Sequence, residues 1–269
     1  MLDCKIVKTP CNGNFLQEIE ENSQVINLAE YQQAIGSLNY PAQHTRPEIM
    51  YTVNQLSRYC TNPTTKHWIA LKHLLRYLKG TMKFNLIYKK TKSPSLISEL
   101  MGWADADYEN AKEDHETISG YVIQVYDNPV CWLSKRQSVV AQSTTEAEYI
   151  SMNVCAKHMQ WLSFVLRDLG QAIEKPTLFN DNSGAVIISK KASLNINTKH
   201  IEVQYQYSRD CILNKLLTVI QVSTTQMIAD VLTKPLGVQK LREFDQQLHL
   251  EDPGGVSENL SDLCGNKEC

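Results

Sequence analysis

In the stretch Gly102-Trp103-Ala104-Asp105-Ala106-Asp107-Tyr108, an apolar run leads into two acids one position apart. An acid at the end of a buried strand is costly to hold unless something pairs with it. A divalent cation bound through oxygen atoms is a common partner. Further carboxylates, late in strands or early in helices, must then point at the same place. The chain offers three: Glu148 at the start of a long helical pattern, Asp181 directly after a short apolar run, and Asp230 early in a later helical pattern. Four carboxylates brought together repel and raise one another's pKa values unless cations neutralise them. Two Mg²⁺ ions about 4 Å apart do this at sites that cut phosphodiesters, one activating water and the other stabilising the leaving oxygen. Donors that are all oxygen favour Mg²⁺ or Mn²⁺ over zinc.

Each acid also has a purely structural reading. Glu148 could close a capping box with Thr145, and Glu146 could do so with Ser143. Asp181 could cap the helix that begins at Ser183, Asp230 could be a solvated helix residue, and Asp107 a turn residue. The order of the four, strand-Asp, helix-Glu, strand-Asp, helix-Asp, favours the joint reading. In a mixed α/β sheet, strand ends and the first turns of the following helices meet at one edge.

The elements that must position these acids follow from periodicity and punctuation. Residues 100–104 read as a strand ending at Asp105, residues 121–126 as a second and 130–133 as a third, with a turn at Asp127-Asn128-Pro129. A long helix is expected over residues 145–169, closed by Gly170. A strand at 177–180, helices over 183–190 and 198–214, a strand at 216–222 and a helix from Ser223 complete the pattern, with Lys234-Pro235 ending or kinking that last helix and residues 239–248 resuming it. This predicts an α/β fold, a mixed five-stranded sheet flanked by helices, over residues 97–248. Before it, residues 1–28 read as irregular and 29–92 as a small, mostly helical domain. In that domain Pro41 stops the first helix, Thr45 and Glu48 form a capping box for the second, and Gly80 closes the third. Residues 84–88 read as a short strand and 89–96 as a linker. From His249 on, Gly, Ser, Asn and acids dominate, and residues 249–269 read as a disordered tail.

The chain has 269 residues, 42 % of them hydrophobic, enough for one large or two ordinary domains. No apolar run reaches the roughly 20 residues of a membrane span, and the N-terminus does not read as a signal peptide. The eight cysteines form no C-x-x-C pair and no zinc-like spacing, so reduced thiols in an intracellular protein are expected. Asn259-Leu260-Ser261 matches a glycosylation sequon, which carries little weight without a secretory signal. The net charge of -2 hides an asymmetry. Between Ile49 and Ser98 there is no Asp or Glu, while Arg58, Lys66, Lys72, Arg76, Lys79, Lys83, Lys89, Lys90 and Lys92 all fall there. Such a segment suits a polyanion, or is simply a solvated helix face.

Taken together, several motifs resemble the RNase H domain of copia-type retrotransposon polyproteins. They are Trp103-Ala104-Asp105-Ala106-Asp107, Ser119-Gly120-Tyr121, Ser134-Lys135-Arg136-Gln137, Ser143-Thr144-Thr145-Glu146-Ala147-Glu148-Tyr149, Asp181-Asn182, Thr198-Lys199-His200-Ile201-Glu202-Val203 and Ala229-Asp230-Val231-Leu232-Thr233-Lys234-Pro235-Leu236. Upstream, Gly36-Ser37-Leu38-Asn39-Tyr40, Thr45-Arg46-Pro47-Glu48-Ile49, Leu56-Ser57-Arg58-Tyr59 and Leu75-Arg76-Tyr77-Leu78-Lys79-Gly80-Thr81 resemble the thumb and connection region of the reverse transcriptase. The resemblance covers residues 2–248. It implies an RNase H-like fold that cuts the RNA strand of an RNA–DNA hybrid. By motif match Asp105, Glu148, Asp181 and Asp230 would be the catalytic, metal-binding acids, holding two Mg²⁺ ions with Mn²⁺ as an alternative. His200 and Glu202 stand beside them as further candidates. Arg58, Lys66, Lys72, Arg76, Lys79, Lys135, Arg136 and His200 would contact nucleic acid. The remainder of the Pol polyprotein would be a partner, no membrane is implied, and the expected setting is the cytoplasm, a virus-like particle or the nucleus.

The chain departs from the family's pattern in three places. Tyr108-Glu109-Asn110 follows the second acid where Trp-Ala-Gly is usual. His115-Glu116 stands where a basic residue usually precedes Ser-Gly-Tyr, and Gln206 where an aromatic-flanked His is common. None removes an expected ligand. The chain contains no Asp-Asp pair, so the Tyr-x-Asp-Asp turn of a polymerase is absent, and palm and fingers would lie before Met1. Two functions of different class follow: a metal-dependent endoribonuclease, or a truncated, inactive element fragment that at most binds nucleic acid.

Overall fold

The computed structural model describes residues 4–13, 27–90, 99–108, 117–171, 173, 176–191 and 207–253. Helix α1 (Leu28–His44) is capped by Asn27, whose side chain accepts from the Glu30 amide, and buries Tyr31, Ile35, Leu38 and Ala42 along one stripe. It runs through Pro41 rather than stopping there. Tertiary contact accounts for the extra turn. The Pro41 carbonyl accepts from the Thr45 and Arg46 amides, and the Trp132 indole donates to the Ala42 carbonyl at 2.7 Å. Thr45 is therefore the C-cap of α1, not the N-cap of the next helix. A 3-10 turn, Pro47–Ile49, leads into α2 (Met50–Ser57), and Glu48 binds Arg46 at 2.6 Å instead of closing a capping box. Helix α3 (Thr65–Gly80) begins with a capping box between Thr64 and His67. Asn85–Leu86 forms a short strand, β1.

Strands β2 (Leu100–Asp107), β3 (Ile118–Val125) and β4 (Asn128–Arg136) form an antiparallel meander. Their tight turn is Tyr126-Asp127, both at positive φ, which suits the twist of a two-residue hairpin. It lies one residue earlier than expected, and Pro129 falls inside β4. Proline is tolerated there because β4 is an edge strand with a register shift opposite Ile123 and Gln124. Helix α4 (Thr144–Asp168) follows, then β5 (Thr177–Asn180), α5 (Ser183–Lys190), α6 (Tyr207–Leu213) and β6 (Thr218–Gln221). The sheet order is β4-β3-β2-β5-β6, with β2-β5 and β5-β6 parallel. This is the mixed five-stranded sheet flanked by helices that the sequence pattern predicts. Residues 223–236 differ from expectation. They form two 3-10 turns, Thr224–Gln226 and Ile228–Leu232, and the last helix, α7, spans Val238–Gln247.

Side chains alternate along β2. Gly102 and Ala104 face α4, where a Cβ on Gly102 would come within 2.3 Å of the Met159 sulfur. Small residues there let the long helix lie close over Leu100, Ala104, Tyr121 and Ile123. Trp103 faces the other way and stacks on Phe179. On that second side a single apolar cluster joins Val122 and Trp132 of the sheet to Leu38 and Leu56 of α1 and α2, Leu71 of α3, and Phe244 of α7. The helical segment and the sheet thus share a core. Residues 249–269 are expected to be a disordered tail, but at their start Leu250–Glu251 forms a strand, β7, antiparallel to β1 with Leu86 opposite Leu250. Residues 254–269 lie outside those described.

Under this shared core sits a buried charge group. Glu48, Arg46 and Asp245 come from the turn before α2 and from α7, and the Arg46 guanidinium also donates to Thr81 of α3. Burial pushes the Asp245 carboxyl up to about 8, the nearby Glu48 adds to this, and Arg46 and Arg242 oppose it. A carboxyl whose folded pKa lies above its unfolded value takes up a proton on folding. Its contribution is complete below the unfolded pKa and is lost as pH rises through the folded one. Thermal stability should therefore fall between about pH 4 and about pH 8. Asp245→Asn, which cannot lose a proton, should flatten that fall in melting curves taken across the range.

Candidate metal centre

Asp105 lies two residues from the end of β2, Glu148 in the second turn of α4, and Asp181 directly after β5. One carboxylate oxygen from each lies within 4.8 Å of the other two. Asp105 is 2 % exposed and Glu148 7 %. At that separation, with an effective dielectric of about 20, each pair of unit charges repels by about 3 kcal/mol. Three such pairs rival the whole stability of a typical domain, about 5–15 kcal/mol. Three ionised carboxylates therefore require a counter-charge. Burial pushes the Asp105 carboxyl up to about 7; Lys234 pulls it down, Asp230 and Asp181 push it up, and the Thr233 hydroxyl lowers it. Burial also raises the Glu148 carboxyl well above its usual range, with Asp105 and Asp181 adding to this and a hydrogen bond from Asn180 opposing it. An oxygen-only donor set, two of its acids buried and Asp181 half-buried, fits a hard divalent cation.

Local structure frees each acid for this task. Helix α4 is capped by Ser143, which accepts from the Glu146 amide at 3.2 Å, while Glu146 accepts from the Gln142 amide at 2.9 Å. The cap thus uses Glu146 and leaves Glu148 to the site. Likewise α5 is capped by Asn182, not Asp181. Asn180 donates to Glu148 and to the Ala104 carbonyl, each at 2.9 Å, and so ties β5, β2 and α4 together at the acids. Ser151 donates to the carbonyls of Asp105 and Gly120 at 2.8 and 3.2 Å. Gln137 donates to Ser119 and to the Ala147 carbonyl, fixing the end of β4 against α4.

The segment carrying Asp230 crosses β2 and β3 on the second side. Gly120 is opposite Asp105 in the β2–β3 register, and a Cβ there would sit 2.7 Å from Thr233 and 2.8 Å from Leu232. The missing side chain lets the segment descend until the Thr233 hydroxyl donates to Asp105. Asp230 is fully buried, but among the described residues it does not join the group formed by Asp105, Glu148 and Asp181. Its carboxylate is instead paired with Lys234 at 2.8 Å and with Lys240. Asp107, the other acid of the opening motif, ends β2 and is buried opposite Ile118, so it is a strand residue and not a turn residue.

The basic candidates divide. Lys135 and Arg136 end β4, exposed, opposite Ser119 and Ile118, and so stand at the end of the sheet that holds Asp105 and Asp107. Arg58 follows α2, whose buried Tyr51 is acted on by both Asp107 and Arg58. Lys66, Lys72, Arg76 and Lys79 lie along α3. There Lys79 donates to the Cys4 carbonyl at 3.1 Å, Lys72 lies over the Trp68 ring and Arg76 contacts His73, so part of this edge binds the chain itself. His200 and Glu202 fall outside the described residues. Asn180, Thr233 and Lys234 stand beside the acids without having been expected there, Lys234 being expected only as part of a helix end, although all three lie in or beside the motifs quoted above. The signal for Asn180 was a buried amide ending an apolar strand, and that for Lys234 was a lysine four residues after an acid.

The fold and this site define a mixed α/β protein with a group of three carboxylates at one end of its sheet that could hold a cation. No protein-family model matches the chain. It is 35% identical over 249 residues to the retrovirus-related Pol polyprotein from transposon RE2 of Arabidopsis thaliana, 92% of this chain and 17% of that protein. It is 34% identical over 241 residues to the Pol polyprotein from transposon TNT 1-94 of Nicotiana tabacum, 87% of this chain and 18% of that protein. Among solved structures, the N-terminal RNase H domain of a Mycobacterium tuberculosis protein, fused to maltose binding protein, aligns with a TM-score of 0.37 and 10% identity, over 55% of this chain and 97% of that one. Over about nine-tenths of its length the chain is homologous to copia-type, retrovirus-related Pol polyproteins of transposons, and it spans less than a fifth of the length of those relatives.

Gly120 offers a direct test of how the Asp230 segment docks. Gly120→Val should cost about 1–3 kcal/mol in denaturant unfolding, because the new side chain must displace Leu232 and Thr233. Gly170→Ala, where nothing lies within 4 Å of the added atom but φ is +78, should show only the backbone cost of about 1–2 kcal/mol.

Proposed function

We propose that the chain is a metal-dependent endoribonuclease that cuts the RNA strand of RNA–DNA hybrids, as the RNase H portion of a copia-type element. The observation that carries this reading is the convergence of the Asp105, Glu148 and Asp181 carboxylates at one end of the sheet. Asp105, Glu148 and Asp181 would hold Mg²⁺, or Mn²⁺ in its place. The bound metal would supply an activated water and would stabilise charge on the leaving oxygen. Asn180 fixes the Glu148 carboxylate, and Thr233 fixes that of Asp105, so that neither has to reorganise when substrate arrives. Asp230 is the fourth acid by motif and acts next to Asp105 through Lys234.

Substrate would lie across the end of the sheet. Lys135 and Arg136 are exposed beside the acids and suit the phosphates nearest the cut, with His200 as a further contact. Arg58, Lys66, Lys72, Arg76 and Lys79 would follow the backbone along the helical part, which corresponds in this reading to reverse transcriptase thumb and connection. The 2′-hydroxyl would distinguish the strand to be cut. The remainder of a Pol polyprotein would be the natural partner, in an intracellular setting; among the described residues no helix is long and apolar enough to cross a membrane.

A labelled RNA–DNA hybrid incubated with the protein and Mg²⁺ tests the proposal. The RNA strand should be cut, the DNA strand spared, and cutting should stop on chelation. Asp181→Asn should lower the rate by more than the roughly 100-fold typical of losing a residue that only orients a ligand. Equal cutting by this variant, or no Mg²⁺-dependent cutting by the wild type, would overturn the reading in favour of an inert element fragment.

A further inference from the structure

Two divalent cations need a second set of free carboxylate oxygens, and among the described residues Asp105 and Asp230 are the pair placed to provide one. A side-chain cation already stands between them. The Lys234 ammonium is 2.8 Å from one Asp230 oxygen and 3.9 Å from Asp105 Oδ2. Lys240 holds the other Asp230 oxygen. The Asp105 oxygen facing Lys234 also accepts from the Thr233 hydroxyl. Lys234 is held there by the fold. It follows Thr233, whose amide and hydroxyl both bond to the Asp230 carbonyl, and its own amide bonds to that carbonyl at 3.0 Å. Pro235 comes next and restricts the Lys234 backbone. The contact therefore belongs to a packed turn and is not the reach of a loose surface side chain.

Resting on the reading of Asp105, Glu148 and Asp181 as a cation site, we infer that Lys234 is a built-in cation that takes the place of a second divalent ion between Asp105 and Asp230. The centre then holds a single divalent ion, and the two-ion arrangement implied by the order of the acids does not form. A lysine at that point carries one positive charge where a divalent ion carries two. It offers donors in place of open coordination positions. It can neutralise Asp230 and steady Asp105, but it cannot bind a water as a ligand. Asp105, Glu148 and Asp181 would hold the one divalent ion, which would supply the activated water, while the Lys234 ammonium would supply positive charge beside Asp105 and Asp230. Lys234 is a positioning residue for Asp105 on this account, and its charge rather than its bulk is what counts.

Counting bound Mn²⁺ by calorimetric titration and by loss of the free-ion spin-resonance signal tests this without any turnover. The wild-type chain should bind one Mn²⁺, Lys234→Arg should also bind one, and Lys234→Gln should bind two because Asp105 Oδ2 and the Asp230 oxygen that Lys234 held, Oδ1, become available together, while Lys240 stays on Oδ2. Circular dichroism and a melting curve on each variant establish that it is folded. Two ions on the wild type would overturn the inference while leaving the nuclease reading intact. One ion on a folded Lys234→Gln would also overturn it, since the lysine would then not be what excludes the second. If Lys234→Gln does not fold, the wild-type count decides alone. No bound ion on the wild type would overturn the cation site itself, and the inference with it.

Discussion

Three carboxylates within 4.8 Å of one another, two of them buried and that of Asp181 half-buried, are the constraint around which this structure is arranged. Left ionised and unpaired, they would cost the fold as much free energy as it typically has to spare. The surrounding elements answer that cost in separate ways. Asn180 gives Glu148 a hydrogen bond, Thr233 gives one to Asp105, and Lys234 brings a positive charge close to Asp105. A divalent cation completes the neutralisation in the proposed function. The site is thus a place where stability and chemistry pull against each other, as buried charge at functional sites commonly does.

Strand β2 transmits this constraint to the rest of the molecule. One side of the strand, Gly102 and Ala104, is small so that α4 can lie against it and bring Glu148 to the acids. Its neighbour β5 runs parallel and ends at Asn180, which places Asp181 beside Asp105. On the opposite strand Gly120 removes a side chain where the Asp230 segment has to come down. Each of these positions is a gap or a short side chain beside a large or charged one. Enlarging any of them moves an acid.

The helical part is attached to the same framework. The Trp132 indole bonds to the end of α1, Asn54 of α2 reaches Ser134 of β4, and β7 pairs with β1. The buried Glu48, Arg46 and Asp245 group links the turn before α2 to α7. These contacts give the basic helices a fixed relation to the sheet end where Lys135, Arg136 and the acids lie. A long polyanion running along one would meet the other without a flexible joint between them.

The amino-acid sequence by itself determined most of the elements and their order, and three of the acids that converge. Periods of two and of 3.6, with Gly and Pro as stops, are local signals, and they were enough for the meander, the long helix and the five-stranded sheet. Asp105, Glu148 and Asp181 were legible because strand ends and helix starts converge in such a sheet whatever the details of packing. The tertiary structure alone decided what depends on partners distant in the chain. Helix α1 continues past Pro41 because β4 offers it a hydrogen bond, and Leu250–Glu251 becomes a strand because β1 lies beside it. Asp230 was legible as an acid near the site but not as the partner of Lys234 and Lys240. An ion pair is fixed by where side chains end, and spacing along the chain records only where they start. In the opening motif the order of the other acids and the motif match already favoured Asp105 over Asp107, and in space it is the Asp105 carboxylate that lies with those of Glu148 and Asp181.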